Sequence, residues 1–290
     1  MPPDFLVIGA QKSGTTWLHF NLKAHPQIWL PPEKEIHYFD LPPLLPFATL
    51  LFAPQRAVRH WARYRLGRDY RKVRAGEQAA SWYLRYYFAP RTKGWYLSLF
   101  TPDPGQVAGE TTPRYAVLDD DQIAKVQALL PDIKIIYLLR DPIQRAWSDL
   151  AMFHSAKFGH RGLETIDEQR ILEFVGHAGQ LQHSRYCANL ERWASFYGSS
   201  QIFIGFQEQM EQDPAALLQD IQRFLGVEAS QAHVSLDAYR RINSHPYPSI
   251  PAHIARILAG LLIDDIEQLH RRLANAYTAD WLASAQRHLR

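Results

Sequence analysis

Three groups of residues have the types and spacing to do chemistry. The first is Gly9-Ala10-Gln11-Lys12-Ser13-Gly14-Thr15-Thr16. A small polar loop of this kind, opening a helix, offers backbone N–H groups, hydroxyls and the positive helix end to a phosphate. It keeps both glycines of the nucleotide loop G-x-x-x-x-G-K-[ST], but its lysine stands two residues before the second glycine rather than after it. The second group is Glu33-Lys34-Glu35-Ile36-His37. In an extended segment Glu35 and His37 share one face, and both are candidate general bases. His37 has the better unperturbed pKa, and Lys34 falls on the opposite face as a solvated side chain. The third is Arg140 with Ser148 eight residues on, a planar donor fork and a hydroxyl suited to a second phosphate. Arg145, between them, is expected to pair at the surface with Asp141 or Asp149.

Such groups need rigid elements to hold them. Phe5–Ala10 reads as a buried strand and Trp17–His25 as a helix stopped by Pro26. Lys134–Leu139 is a second apolar, β-branched run. Asp141, Pro142 and Gln144 then supply an N-cap, a first-turn proline and a third-position glutamine. Gln201–Phe206 is a third strand, and Asp213-Pro214 starts a helix that runs to Leu225. Strands alternating with helices predict an α/β fold, a parallel β-sheet with helices on both faces. There is no internal repeat, and the chain reads as a single domain, 1–290. Residues 41–93 break the rhythm with prolines, arginines and aromatics and read as a helical insertion. The chain is helical again beyond Ser249.

Composition narrows the function classes. The chain has 290 residues, 47% hydrophobic and 21% charged, and a net charge of +3. That mild basic bias favours anionic ligands without specifying nucleic acid, and no nucleic-acid partner is expected. The single cysteine, Cys187, leaves no internal disulfide and suits a reducing compartment. Met1-Pro2-Pro3-Asp4 passes straight into the first strand without the features of a signal peptide. The run from Leu41 to Ala53 is short and interrupted by Pro42, Pro43 and Pro46. A cytoplasmic protein is the expectation.

The stretch "QKSGTTWL" resembles the 5′-phosphosulfate loop of sulfotransferases that use 3′-phosphoadenosine-5′-phosphosulfate (PAPS). The likeness continues through "PPEKEIHYFD", "WYLSLF", "GETTPRY", "YLLRDPIQRAWSD" and "FLG". It is nearest to the bacterial branch related to heparan sulfate N- and 3-O-sulfotransferases. The resemblance implies a single P-loop-like α/β domain around a parallel β-sheet, and a PAPS site built from Lys12, Ser13, Gly14, Thr15 and Thr16, with Arg140 and Ser148 at the 3′-phosphate. Arg241, Asn243 and Ser244 stand where the family has a late Lys-Gly-Arg segment, but here the glycine is absent. Glu35 matches the family's general base, with His37 the competitor. Lys12 would stabilise the leaving phosphate, and no metal is required. The displaced lysine then serves a bridging oxygen rather than a metal-bound triphosphate.

The expected acceptor is a hydroxyl or amine of a glycan, lipid or small molecule. Thr111 stands where 3-O-sulfotransferases carry a lysine that meets a sugar carboxylate, which counts against a uronic-acid acceptor. In the insertion, Arg56, Arg59 and Arg63 share one helical face, with Val58, Trp61 and Ala62 on another. That helix reads as an acceptor lid, a contact with an anionic membrane surface, or a plain surface helix. Tyr186 reads as core packing or a cofactor neighbour. Two other classes compete. A P-loop kinase or nucleotide hydrolase would want a lysine after Gly14 and an acidic metal site. A non-catalytic nucleotide- or glycan-binding relative would have no use for Lys12 and Glu35 together.

Overall fold

The computed structural model describes residues 1–41, 51–52, 56–76, 79–158, 163, 166–176, 180–230, 238 and 248–290. Five strands form its sheet: β1 (Phe5–Gly9), β2 (Ile28–Trp29), β3 (Val107–Thr111), β4 (Lys134–Leu139) and β5 (Ile202–Phe206). Their order is β2-β3-β1-β4-β5, and every pairing is parallel. This is the expected P-loop-like α/β architecture. The wholly buried strand β1 lies at its centre.

The two-residue period of β1 and β4 divides the core. Phe5, Val7, Ile136 and Leu138 meet one helical layer, α1 (Thr15–Lys23) and α10 (Pro214–Leu225), through Trp17, Leu18, Leu22, Leu217 and Ile221. Leu6, Ile8, Ile135, Tyr137 and Leu139 meet the other. That layer holds α5 (Asp120–Leu129), α6 (Pro142–Phe158) and α8 (Tyr186–Ala194), backed by α11 (Ala252–Leu273) and α12 (Ala276–Leu289). Helix α7 (Glu168–Gly176) contributes Ile171 and Phe174 to the same side, and the short α9 (Gln207–Gln212) follows β5.

Local chemistry sets the boundaries. Asp141 caps α6 as expected, its Oδ1 accepting from the N–H of Ile143 at 2.8 Å and Gln144 at 3.0 Å. Asp213 caps α10 by accepting from Ala216 N–H at 3.0 Å. Helix α1 starts two residues before the expected Trp17, because Gly14 turns left-handed (φ 88°) and releases Thr15 and Thr16 into the helix.

Residues 41–93 contain α2 (Arg56–Arg74) and α3 (Ala80–Phe88), followed by α4 (Lys93–Ser98). α3 buries Trp82, Tyr83, Tyr86 and Tyr87 in the larger core. On α2, Ala62 is buried and Arg63 exposed. The side chains of Arg56, Val58 and Trp61 lie outside the described residues.

Candidate active site

The anion loop sits at the carboxyl end of β1, where open α/β sheets bind their ligands. A Cβ on Gly9 would meet that of Ala116 at 2.8 Å, so only glycine lets the strand leave the sheet here. Gly14 gives α1 no side-chain cap, and no acidic residue stands in the helix's first turn. The first-turn N–H groups are therefore left for an anion. Ser13 is wholly buried, and among the described residues its Oγ makes no well-formed hydrogen bond. It stands beside the hydroxyl of Tyr186, whose pKa burial pushes up to about 12 against the pull of Arg145 and of Ser13 itself. Tyr186 is thus both core and floor of the loop.

Arg140 follows β4 and donates Nη1 to the Lys12 carbonyl at 3.2 Å, joining the two strand ends. Burial lowers its pKa, and among the described residues no carboxylate lies in ion-pair range. A half-buried guanidinium that feels Asp141, Glu208 and Glu211 only at a distance, with no ion-pair contact among the described residues, favours an anionic ligand. Ser148 is nearly buried on the next helix. Lys12, itself left-handed (φ 70°), lays its Nζ 3.6 Å from Met152 Sδ on α6. Burial lowers its pKa, while Asp149 counters. Two cations, a buried hydroxyl and an uncapped helix end have the chemistry to hold phosphate groups. Arg145 pairs with Asp149, one of its two expected partners, but not at the surface. It is fully buried, bonded to Asp149 at 3.2 Å, Ser184 and the Gln180 carbonyl at 2.9 Å, because α6 presents it to the core.

The segment 33–37 is not extended. Glu35 (φ 64°) and His37 (φ 57°) are both left-handed, which turns the chain back on itself. The pair expected on one face still meets, His37 Nε2 lying 3.6 Å from Glu35 Oε2. The same turns overturn the solvated reading of Lys34. Its Nζ donates to Glu35 Oε1 at 3.1 Å and to Thr16 Oγ1 at 3.1 Å, with Thr15 Oγ1 at 3.5 Å. Lys34 therefore ties the carboxylate to the anion loop, and its position in the sequence gave no sign of it.

Charge follows from these contacts. Burial would raise the Glu35 pKa, but His37's hydrogen bond and Lys34's charge bring it down to about 2. Burial would lower that of His37, yet bonds to Asp40 (2.8 Å) and Glu35 lift it to about 9. Asp40 also stands 3.6 Å from Arg114. Glu35, His37 and Asp40 form an anion–cation–anion row. An imidazole held protonated at neutral pH is a poor proton acceptor.

Two buried carboxylates anchor this row. Glu33, 3% exposed, accepts from Arg65 at 2.8 Å, from Arg68, from Lys72 at 3.1 Å and from Tyr83 at 3.1 Å. It thereby fixes α2 and α3 to the segment two residues from Glu35. Burial would raise its pKa, but the cations hold it at about 2. Glu110 in β3 accepts from Tyr96 at 2.7 Å, Thr112 at 2.8 Å and Tyr115 at 3.3 Å. Burial pushes its pKa up to about 7 against those hydroxyls. Tyr115 in turn accepts from Tyr38 N–H at 2.9 Å, and Glu35 N–H donates to Thr111 O at 3.0 Å.

Thr111, placed by resemblance against the acceptor, is buried with its hydroxyl 3.2 Å from His19 Nδ1. Arg241, Asn243 and Ser244 lie outside the described residues. Among the described residues no group of three or more His, Cys, Asp or Glu is arranged to hold a metal ion. No helix among them is long and apolar enough to cross a membrane.

A parallel sheet with an anion loop at its carboxyl edge and a paired carboxylate beside it defines a P-loop-like α/β protein. Residues 3–231 match the family model described as "Sulfotransferase family", and the chain belongs to that family. It is 26% identical over 237 residues to the bifunctional heparan sulfate N-deacetylase/N-sulfotransferase 2 of Homo sapiens, covering 78% of this chain and 22% of that protein. It is also 26% identical over 236 residues to the heparan sulfate glucosamine 3-O-sulfotransferase 3B1 of Mus musculus, covering 78% and 46%. The chain thus matches less than half the length of these relatives. Among solved structures, a sulfotransferase from Alicyclobacillus acidocaldarius superposes with a TM-score of 0.63 at 22% identity, covering 97% of this chain and 99% of the other. The sulfotransferase domain from the curacin biosynthetic pathway gives 0.51 at 16% identity, covering 90% and 98%. These two share the fold.

Proposed function

We propose that the protein transfers a sulfuryl group from PAPS to a hydroxyl or amine acceptor, with Glu35 as general base. The observation that carries this reading is the Lys34 bridge. One ammonium bonds both the candidate base and the threonines of the anion loop, so base and donor site form one polar unit. Lys12, Ser13, Gly14, Thr15 and Thr16 would hold the 5′-phosphosulfate, and Arg140 with Ser148 the 3′-phosphate. Arg241, Asn243 and Ser244 are carried along by resemblance alone.

PAPS supplies the sulfuryl group: the acceptor–sulfur bond forms as the sulfur–oxygen bond to the 5′-phosphate breaks. Glu35 takes the acceptor proton, a role worth ~10²–10⁴-fold in rate. Lys12 and the α1 N-terminus face the charge that develops on the leaving phosphate. His37 serves as a cation that orients Glu35, because Asp40 and Glu35 keep it protonated. Lys34 partly neutralises the site and aligns the base.

The glycan names of the relatives make a sugar hydroxyl or amine a reasonable acceptor class. The test is calorimetric. Adenosine 3′,5′-bisphosphate should bind far more tightly than AMP, because only the former presents a 3′-phosphate to Arg140. Equal affinities would sink the assignment.

A further inference from the structure

We propose that the outward face of α2, with the exposed apolar side chains of α3, docks the protein on an anionic lipid bilayer. Helix α2 carries eight arginines and lysines against one acid, Asp69. That is a net +7 in a chain whose total is +3, leaving −4 for the other 271 residues. The molecule is polarised, with α2 as its positive pole.

The helix divides its charges by face. Arg65, Arg68 and Lys72 turn inward to Glu33. Asp69 is buried against Arg68 and Tyr87. The outward stripe therefore holds no carboxylate. His60, Arg63, Tyr64, Tyr70, Arg71 and Arg74 are all exposed. At 3.6 residues per turn they fall within an arc of about 120°. Among the described residues, Arg63, Arg71 and Arg74 have no ion-pair partner.

Apolar exposure selects the occupant. Tyr64 and Tyr70 interrupt the arginines at 60% and 62% exposure. α3, pinned beside α2 through the Tyr83 and Tyr87 hydroxyls, exposes Leu84 and Phe88 one helical turn apart. These two helices make up about a tenth of the chain, yet hold four of the eleven large exposed hydrophobics among the described residues. A soluble polyanion needs only the charge. A second copy of the same helix would be repelled by it. An anionic bilayer takes both, phosphates against arginine and aromatic rings at the headgroup level.

Flotation of the full chain with vesicles tests this. Phosphatidylcholine vesicles with about a third phosphatidylserine should carry the protein, and pure phosphatidylcholine vesicles should not. Binding should fall as salt shortens the Debye length from ~10 Å at 0.1 M to ~3 Å at 1 M. Arg63→Ala, Arg71→Ala and Arg74→Ala combined should weaken it about a hundredfold, roughly fivefold for each charge near the surface. Tyr64→Ser with Tyr70→Ser should weaken it at low and high salt alike, with circular dichroism and melting temperature unchanged in both variants. Vesicle binding that ignores lipid charge, or is absent, overturns the proposal. So does binding of a soluble sulfated oligosaccharide that leaves both tyrosines irrelevant.

Discussion

His37 Nε2 lies 3.6 Å from Glu35 Oε2, while its Nδ1 is 2.8 Å from Asp40. The imidazole is therefore gripped by carboxylates on both sides, which is why it holds its proton to about pH 9. The folded pKa lies above the ordinary value of 6.5, so the stabilisation is full below pH 6.5. It disappears as pH rises through about 9. The expected contribution is ~2 kcal/mol after allowing for the exposed side of Glu35. Denaturant melts across pH 6.5 to 10 should therefore fall more steeply for the native chain than for His37→Gln. Parallel slopes would show that the imidazole is not charged in the folded state.

Lys12 and Glu35 should fail in different ways. Lys12→Ala removes a cation from the anion loop and should lower nucleotide affinity and transfer rate together. Glu35→Gln keeps the shape of the site and should leave affinity for adenosine 3′,5′-bisphosphate within about twofold while transfer slows by ~10² or more. Single-turnover kinetics separate the two. If Glu35→Gln turns over normally and His37→Ala does not, the base is the imidazole.

Glu33 should behave as a positioning residue. Its carboxylate collects Arg65, Arg68, Lys72 and Tyr83. Glu33→Gln leaves those cations without their counter-charge, at a cost of about 3 kcal/mol. The stability loss is read by urea denaturation. Under conditions where the variant is folded, kcat should drop far more than nucleotide affinity, since the clamp holds the base segment directly and reaches the anion loop only through Lys34. A fall in nucleotide affinity equal to the fall in kcat would remove the distinction.

Strands β1, β4 and β5 were legible in the sequence because their apolar runs are unbroken: Phe5–Gly9, Lys134–Leu139 and Ile202–Phe206 fall within a residue of expectation. β3 was not, since "VAGET" conceals its burial. Its Glu110 is satisfied in the core by three hydroxyl donors, Thr112 and Tyr115 just after it and Tyr96 on α4, and Gly109 is there because a Cβ would strike the ring of Phe5 at 2.4 Å. Residue types left Glu35 and His37 as alternative bases, and only the family resemblance favoured Glu35. The loop could be read from residue types and spacing. Lys34 could not, because its side depends on left-handed backbone at Glu35 and His37, which ordinary residues seldom adopt. Arg145 misled for a similar reason: an arginine on a helix looks solvated until Ser184, Gln180 and Asp149 close around it.

Lys34 offers the sharpest test of how the base is tuned. Its ammonium is one of the groups that depress the Glu35 pKa, after the His37 hydrogen bond that offsets burial. Lys34→Met keeps the length of the side chain and removes the charge. The Glu35 carboxylate should then become more basic, by about one pH unit for the loss of one opposite charge in contact. The acid limb of the pH–rate profile should move upward by that amount. The bond to Thr16 is lost as well, so nucleotide affinity should fall severalfold, which calorimetry reads independently of the rate. A Lys34→Met variant whose acid limb stays in place would mean that Lys34 serves the anion loop alone and that His37 sets the basicity of Glu35 unaided.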